Sequence, residues 1–551
     1  MQSVSTTNLS RALLLAATLA ATSTFAAAQD GLAKDRAAGA ATVDVAMCKE
    51  WLGTLASPAF EGRGTGQPGF EKAANYVAAH FQSLGLTTYY QHVPWATSKL
   101  VAEKTSLVFQ KGDETMLTIA ADKLGGTASG SLAATGDVVL LVVDAPPPRE
   151  RGRADAETAA VIPGIDELEL KGKVVVVYVR QPKVGRPNPL AAFAVQQELG
   201  GKECAAVVFA QTEPTRGIEG RRGQAGRRAN PAAAGARRQP GSIQFGGDQL
   251  PAFLTAAGLS PESLATTKTA TPLPLRATLA VAVEETNAPA MNVFAILPGS
   301  DPVKKHEYVV IGSHLDHLGR RGDVISPGAD DDASGTTGVM AVAKMFAKNE
   351  VRPARSILFV CFSGEENGLV GSAYFADNCP IPLSSMVGQL QMDMIGRDEE
   401  ENSEGDKGEL AENNRNTVHL VGTQKLAPAL HELCLQKNQT AKLDIEYDQE
   451  GMFGRSDHAN FAQKGVPIAF FFTGLHRDYH RPTDTPEKIH YEKLLRIAVW
   501  VYDIAFELAA QTDRPAIDPK LWAKFRGSGR NRAPEVPAAP LLPEKPPAAG
   551  R

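Results

Sequence analysis

The stretch YVVIGSHLDHLGRRGDVISPGADDDASG, residues 308–335, decides how the chain is read. It opens on an apolar run, Tyr308 to Ile311, with the character of a buried strand. The run continues into Gly312-Ser313-His314-Leu315-Asp316-His317, and a loop then leads to Gly328-Ala329-Asp330-Asp331-Asp332-Ala333-Ser334-Gly335. Beyond it Val339, Val342, Ala343 and Phe346 recur at three and four residues, the spacing of an amphipathic helix, with Ser334 near its start as a candidate cap. A strand, side chains able to hold metal at its carboxyl end, and then a helix make up one unit of a wound, mostly parallel α/β sheet flanked by helices.

The unit recurs downstream. Ile357 to Phe362 ends in Ser363-Gly364-Glu365-Glu366, and Gln389 to Met392 ends in Asp393. Val466 to Phe472 leads through Gly474 to His476 and Asp478-Tyr479-His480-Arg481-Pro482-Thr483-Asp484. Ligands of wound α/β sheets bind beyond the carboxyl ends of the strands, so these groups can converge on one crevice. Each piece alone is weak: HxD is commonly a hydrogen-bonded loop, a triple Asp a helix-capping acidic turn, and paired Glu a solvated surface. Asp393 is harder to set aside, because an unpaired carboxylate after an apolar strand is costly to bury. Imidazoles with carboxylates and no thiolate suit zinc, and enough ligands are present for two ions sharing a bridging carboxylate and a nucleophilic hydroxide. Adjacent acids at a strand end point in different directions, so Glu365 and Glu366 invite a split between a metal ligand and a general base.

Outward from this core, Gly69 to Leu84 has helical spacing and stops at Gly85. Ahead of it Gly64-Thr65-Gly66-Gln67-Pro68-Gly69 matches a dinucleotide-loop pattern but lacks a preceding strand and a following acid, and reads as a turn. Gly136 to Val143, Leu170 to Val179 and Cys204 to Ala210 are β-rich and suggest a small inserted domain, expected over 131–275, with catalytic-domain segments at 40–130 and 276–515. Residues 212–239 carry seven arginines among Gly, Ala, Pro and Gln, which reads as a solvated loop, and 525–551 as a Pro/Ala-rich extended tail. Arg11, the apolar run Ala12 to Ala21 and Ala26-Ala27-Ala28 read as a signal peptide over 1–28, which implies export to a periplasm or the medium. That run falls short of the ~20 residues needed to span a bilayer, so no integral membrane segment is expected. With 551 residues, 43% hydrophobic and 22% charged, and a formal charge of -5, the chain is long enough for two domains and lacks the basic surplus of a nucleic-acid binder. Five scattered cysteines form no disulfide framework. HExxH fails at Leu435, and no GxSxG elbow or Walker loop occurs.

Together the blocks IGSHLDHLG, PGADDDASG, FSGEENGLVGS, QMDMIGR and DYHRPTDTPEKI resemble, in order, the metal-site blocks of the co-catalytic di-zinc exopeptidases, the family of aminopeptidases S and Y and the glutamate carboxypeptidases. Ala56 to Leu86 is similar to that family's N-terminal helical segment and Asn292 to Asp301 to its lead-in strand, while the middle, with LKGKVVVVYVR, looks like an inserted protease-associated domain. The resemblance implies the zinc exopeptidase fold, two zinc ions and peptide substrates. Asp331 would bridge the ions, His314 and Asp393 would complete one, and Glu366 and His480 the other. Glu365 would be the general base and Asp316 a carboxylate orienting His314. Asp332 stands where the family commonly has Asn, and the triple Asp leaves the bridging position ambiguous by one residue. His476 rivals His480 but lacks the Pro482 and Asp484 context. An aminopeptidase is the leading expectation, with Tyr479 as a candidate oxyanion partner. The same fold accommodates carboxypeptidases, dipeptidases and single-zinc glutaminyl cyclases, and a non-catalytic binding protein is the rival of another class.

Overall fold

The computed structural model describes residues 32–128, 131–145, 162, 164–180, 191–215, 218–220, 243–267, 270–400 and 414–526. The expected signal peptide, the tail beyond residue 526 and most of the basic segment 212–239 lie outside them. Within that segment Ile218–Gly220 forms a short strand parallel to Leu124–Ala128 rather than loop. The chain divides into two compact units, Met1–Trp95 with Ala288–Arg551, and Ala96–Asn287.

The first unit is built on eight strands: β1 (Thr87–His92), β2 (Met291–Leu297), β3 (Tyr308–His314), β4 (Ser356–Phe362), β5 (Met386–Met392), β6 (Thr417–Val421), β7 (Asp444–Glu446) and β8 (Ile468–Phe472). They lie in the order β1-β2-β4-β3-β5-β8-β6-β7. The central four, β4, β3, β5 and β8, are mutually parallel, and antiparallel neighbours flank them on both sides. These are the four strands expected from the sequence. Strand β5 begins three residues earlier than the apolar pattern suggests, because Met386 and Val387 are buried beside it.

Alternate residues face opposite layers, as the period of two requires. Val309, Ile311, Ile357, Phe359 and Cys361 pack under α1 (Val45–Leu55), α2 (Pro68–Ser83), α3 (Ala333–Lys348), α5 (Pro428–Ala441) and α7 (Tyr491–Ala510). Val310, Leu358, Val360 and Phe362 pack against Phe375 of α4 (Val370–Asp377) and Phe461 of α6 (His458–Gln463). A sheet buried on both faces explains why its strands read as continuous apolar runs. Helix α3 is capped by Asp332, not Ser334: the Asp332 carboxylate accepts from Gly335 N at 2.8 Å. Ser334 lies inside the first turn, where its hydroxyl donates to Asp330 O and accepts from Ile395 N.

The second unit is a nine-stranded mixed sheet whose centre is Ala270–Val281, Leu132–Asp144, Val174–Arg180 and Ala206–Ala210. It is wider than the expected 131–275. Ser106–Lys111 and Glu114–Ala120 form a hairpin that pairs with Arg276–Ala280, and Ala96–Leu100 pairs with Val283–Asn287 at the seam. That hairpin is legible only as a weak alternation around Lys111-Gly112-Asp113, and its partner strand begins before and ends after residue 275. Phe109, Phe245 and Phe253 cluster in its core, with the Phe109 and Phe253 rings 4.9 Å apart.

Candidate metal centre

The ends of the four parallel strands bring the expected side chains together. His314 is the last residue of β3, and its Nε2 faces Asp331 Oδ1 at 3.2 Å and Asp393 Oδ1 at 3.5 Å. His480 Nε2 faces the other Asp331 oxygen, Oδ2, at 3.2 Å and Glu366 Oε2 at 3.0 Å. The two oxygens of Asp331 thus face two different imidazoles, one in each imidazole-carboxylate set. Asp330 turns away: its Oδ1 accepts from Gly396 N and its Oδ2 meets His476 Nε2 at 3.3 Å. His476 is therefore held outside the cluster.

Asp332 is occupied by main chain. Its two oxygens accept from Gly335 N (2.8 Å), His314 N (3.1 Å) and Met394 N (3.2 Å), tying together α3, the end of β3 and the end of β5. Asp484, from the expected Pro-Thr-Asp turn, accepts from Asp330 N and Asp331 N and so fixes the backbone that carries the shared carboxylate. Two glycines are dictated by crowding: Gly328 has φ +57°, and a Cβ there would overlap the His317 ring, while Gly364 has φ +67° and abuts Trp95.

The contact expected of the Asp316 carboxylate is made by its main chain. His314 Nδ1 donates to Asp316 O at 2.9 Å, whereas the carboxylate is 3.9 Å away and accepts from Glu365 N at 3.1 Å. The carboxylate points across to the Glu365 turn because the peptide carbonyl already occupies the ring nitrogen. Asp316 therefore positions Glu365 directly and His314 through its backbone. Glu365 Oε2 stands 3.9 Å from His314 Nε2, beside but outside the closest contacts.

Three further residues belong to the site and were not singled out from sequence. His317 is buried, with Nδ1 2.7 Å from Glu366 Oε1 and 3.6 Å from Asp331 Oδ2. Its place three residues after His314, in HLDH, was the available signal. Arg63 is fully buried, and its guanidinium donates to four main-chain oxygens, those of Leu55, Leu315, Pro327 and Gly328. It braces both metal-site loops from the Glu61-Gly62-Arg63 turn, which carries no motif. Asp457, in Arg455-Ser456-Asp457-His458, is buried, and desolvation pushes its carboxyl up to about 8, with His314 opposing and Asp316 and Asp393 reinforcing the shift.

The electrostatics call for cations. Burial acts to lower the His314 and His480 pKa values, yet the surrounding carboxylates hold the first well above its usual range and lift the second to about 10. Burial raises the Glu365 carboxyl well above the usual range, against the pull of His314 and with help from Glu366 and Asp393. Asp331 Oδ2, Glu366 Oε1 and both His317 ring nitrogens are buried without a hydrogen-bond partner. Orphaned buried lone pairs on imidazole and carboxylate, with no thiolate nearby, form a donor set that fits zinc. His314-Asp332-Asp393 and His317-Asp331-Glu366 each bring three candidate ligand atoms within 4.8 Å of one another.

An α/β sheet with such a donor set beyond its parallel strands defines the zinc exopeptidase fold. Two solved structures share it: an aminopeptidase from Aneurinibacillus sp. strain AM-1 (TM-score 0.52, 22% identity, covering 86% of this chain and 96% of that one) and a zinc aminopeptidase from Bacillus subtilis (0.52, 17%, 87% and 98%). Residues 292–505 match the model of peptidase family M28, and the chain carries a domain of that family. Among curated relatives, leupeptin-inactivating enzyme 1 of Streptomyces exfoliatus is 29% identical over 204 residues, 36% of this chain and 39% of its own length. A probable leucine aminopeptidase of Arthroderma otae is 29% identical over 227 residues, 40% and 57%. The matched region thus spans 39% to 57% of the length of these curated relatives.

Proposed function

We propose that this protein is an exported zinc metallopeptidase, an aminopeptidase that removes N-terminal residues from peptides. The observation that carries the reading is the division of the Asp331 carboxylate between His314 on one oxygen and His480 on the other, with Glu365 alongside. We assign His314 and Asp393 to one ion, Glu366 and His480 to the second, and Asp331 to both, with His317 as a further donor beside Glu366. When bound, zinc polarises a peptide carbonyl and makes water a competent nucleophile near neutral pH.

The chain's own groups do the rest. Glu365 takes the proton of the attacking water as the C–O bond forms and returns it to the peptide nitrogen as the C–N bond breaks, so the amine leaves neutral. Asp316 holds the Glu365 turn through its N–H. Met394, Met452, Arg455, Phe470, Phe472, Leu475 and Tyr479 line a cleft that opens onto His314, Asp331, Glu365 and Asp393. The apolar part of this wall favours an apolar N-terminal side chain, in keeping with relatives named as leucine aminopeptidases. Tyr479 stacks on His480 with ring centroids 3.8 Å apart, which keeps its phenol within the cleft.

A panel of leucyl, phenylalanyl and glutamyl peptides, each with free and acetylated amino terminus, tests the proposal. Cleavage of the free-amine apolar peptides, with acetylation suppressing it, is expected. Equal cleavage of blocked peptides, release from the carboxyl end, or cyclisation of N-terminal glutamine as the sole reaction would overturn it.

A further inference from the structure

A second donor cluster lies away from the residues assigned above and shares none of them. His419, on β6, has a fully buried ring. Glu399 Oε2 lies 3.2 Å from its Nε2, and Glu399 is itself fixed: Oε1 accepts from Gln449 Nε2 at 3.0 Å and its main-chain oxygen from Asn414 Nδ2 at 3.3 Å. Glu399 therefore accepts from the Nε2–H, and Nδ1 faces the other way. On that side stand Asp448 Oδ1 at 3.0 Å and Glu446 Oε2 at 3.9 Å.

Nδ1 is buried without a satisfied hydrogen bond, although Asp448 Oδ1 stands 3.0 Å away. A buried imidazole nitrogen with anionic oxygens 3.0 and 3.9 Å away attracts positive charge. One candidate ligand atom from each of Glu399, His419, Glu446 and Asp448 falls within 4.8 Å of the others, with Glu399 on the Nε2 side of the ring and the two other acids on the Nδ1 side. The side chains of Glu446 and Asp448 are 32% and 40% exposed, so the cluster is reachable from solvent on the Nδ1 side.

We propose that His419 Nδ1, Asp448 and Glu446 form a separate divalent-cation site, with Glu399 orienting the ring from its far nitrogen. A carboxylate behind a metal-bound histidine is the usual arrangement for fixing the ligand's tautomer. One imidazole with carboxylates and no thiolate selects Zn2+ or Mn2+ over softer ions. An ion there would join β6 and β7 to the turn Asp448–Gly454, which carries Met452 of the cleft wall. Its role is to hold that wall in place.

The test compares bound zinc and manganese per chain, by elemental analysis after equilibration with each metal alone, in the full-length protein, in E446Q/D448N and in H314A. Both substituted acids are partly exposed, so the double variant is expected to fold. One ion fewer in E446Q/D448N than in the parent, with a lower Tm that no longer rises on metal addition through this site, is the expected result. H314A reports on the other centre: losing an ion there while E446Q/D448N loses none would overturn this site and leave the peptidase reading standing. Equal metal content in the parent and E446Q/D448N means that His419 is an imidazolium held by carboxylates, and the proposal fails.

Discussion

Asp331 carries more of the account than any other residue, and its position is set by neighbours that never face substrate. Asp484 holds its N–H, Asp332 holds the following turn, and Asp330 is drawn aside to Gly396 and His476. That arrangement separates the roles of residues that look alike in sequence. Replacing Glu365 with Gln should leave metal content unchanged while lowering turnover by about 10²–10⁴-fold, because only proton transfer is lost. Replacing His480 with Ala should remove about one ion per chain, whereas His476→Ala should not, since His476 meets Asp330 rather than the shared carboxylate. Metal analysis beside turnover separates these outcomes, and an intact rate in E365Q would remove Glu365 from the proton path. The chemistry-bearing residues were legible because each follows an apolar strand. Arg63 and Asp457 were not, because a lone arginine among glycines and an acid before a short helix carry no period or motif and only burial marks them, and His317, the second histidine of HLDH, had only its spacing from His314 as a signal.

At the scale of elements, the start of α3 is the junction that positions the site. The Asp332 carboxylate caps that helix and also takes N–H groups from the ends of β3 and β5. Asp332→Ala removes a cap and leaves two more buried donors unpaired, which should cost about 2–4 kcal/mol. Asp332→Asn keeps one oxygen acceptor and should cost less. Urea unfolding of the two variants checks the order, and a reversed order would mean that the cap is not what holds the junction. The strands and α2 were readable because fully buried elements show continuous apolar runs or clear helical spacing. The identity of the α3 cap was obscured because Asp330, Asp331, Asp332 and Ser334 are all good cap residues, and tertiary contacts rather than propensity choose among them.

At the scale of the whole molecule, the chain divides into two compact units, the second running from Ala96 to Asn287 where the sequence reading expected a middle domain over 131–275. Two of the strands that extend the second unit, Ala96–Leu100 and Ser106–Lys111, pair across more than 150 residues, as Leu107 does with Leu279, so local sequence cannot announce those pairings. Among the described residues no helix is long and apolar enough to cross a membrane. All five cysteines are free, four of them buried, so the fold rests on its packed cores without covalent staples. A buried centre this rich in carboxylate should also depend on its ions: metal that binds only the folded state stabilises it by about 2.7 kcal/mol per site at a hundredfold excess over Kd. The most direct measurement is therefore hydrolysis of leucine p-nitroanilide, with Tm recorded in parallel, before chelation, after chelation and after zinc is restored. The account predicts that activity and part of the thermal stability vanish with the metal and return with it. A metal-free protein that cleaves the substrate at the full rate would contradict it.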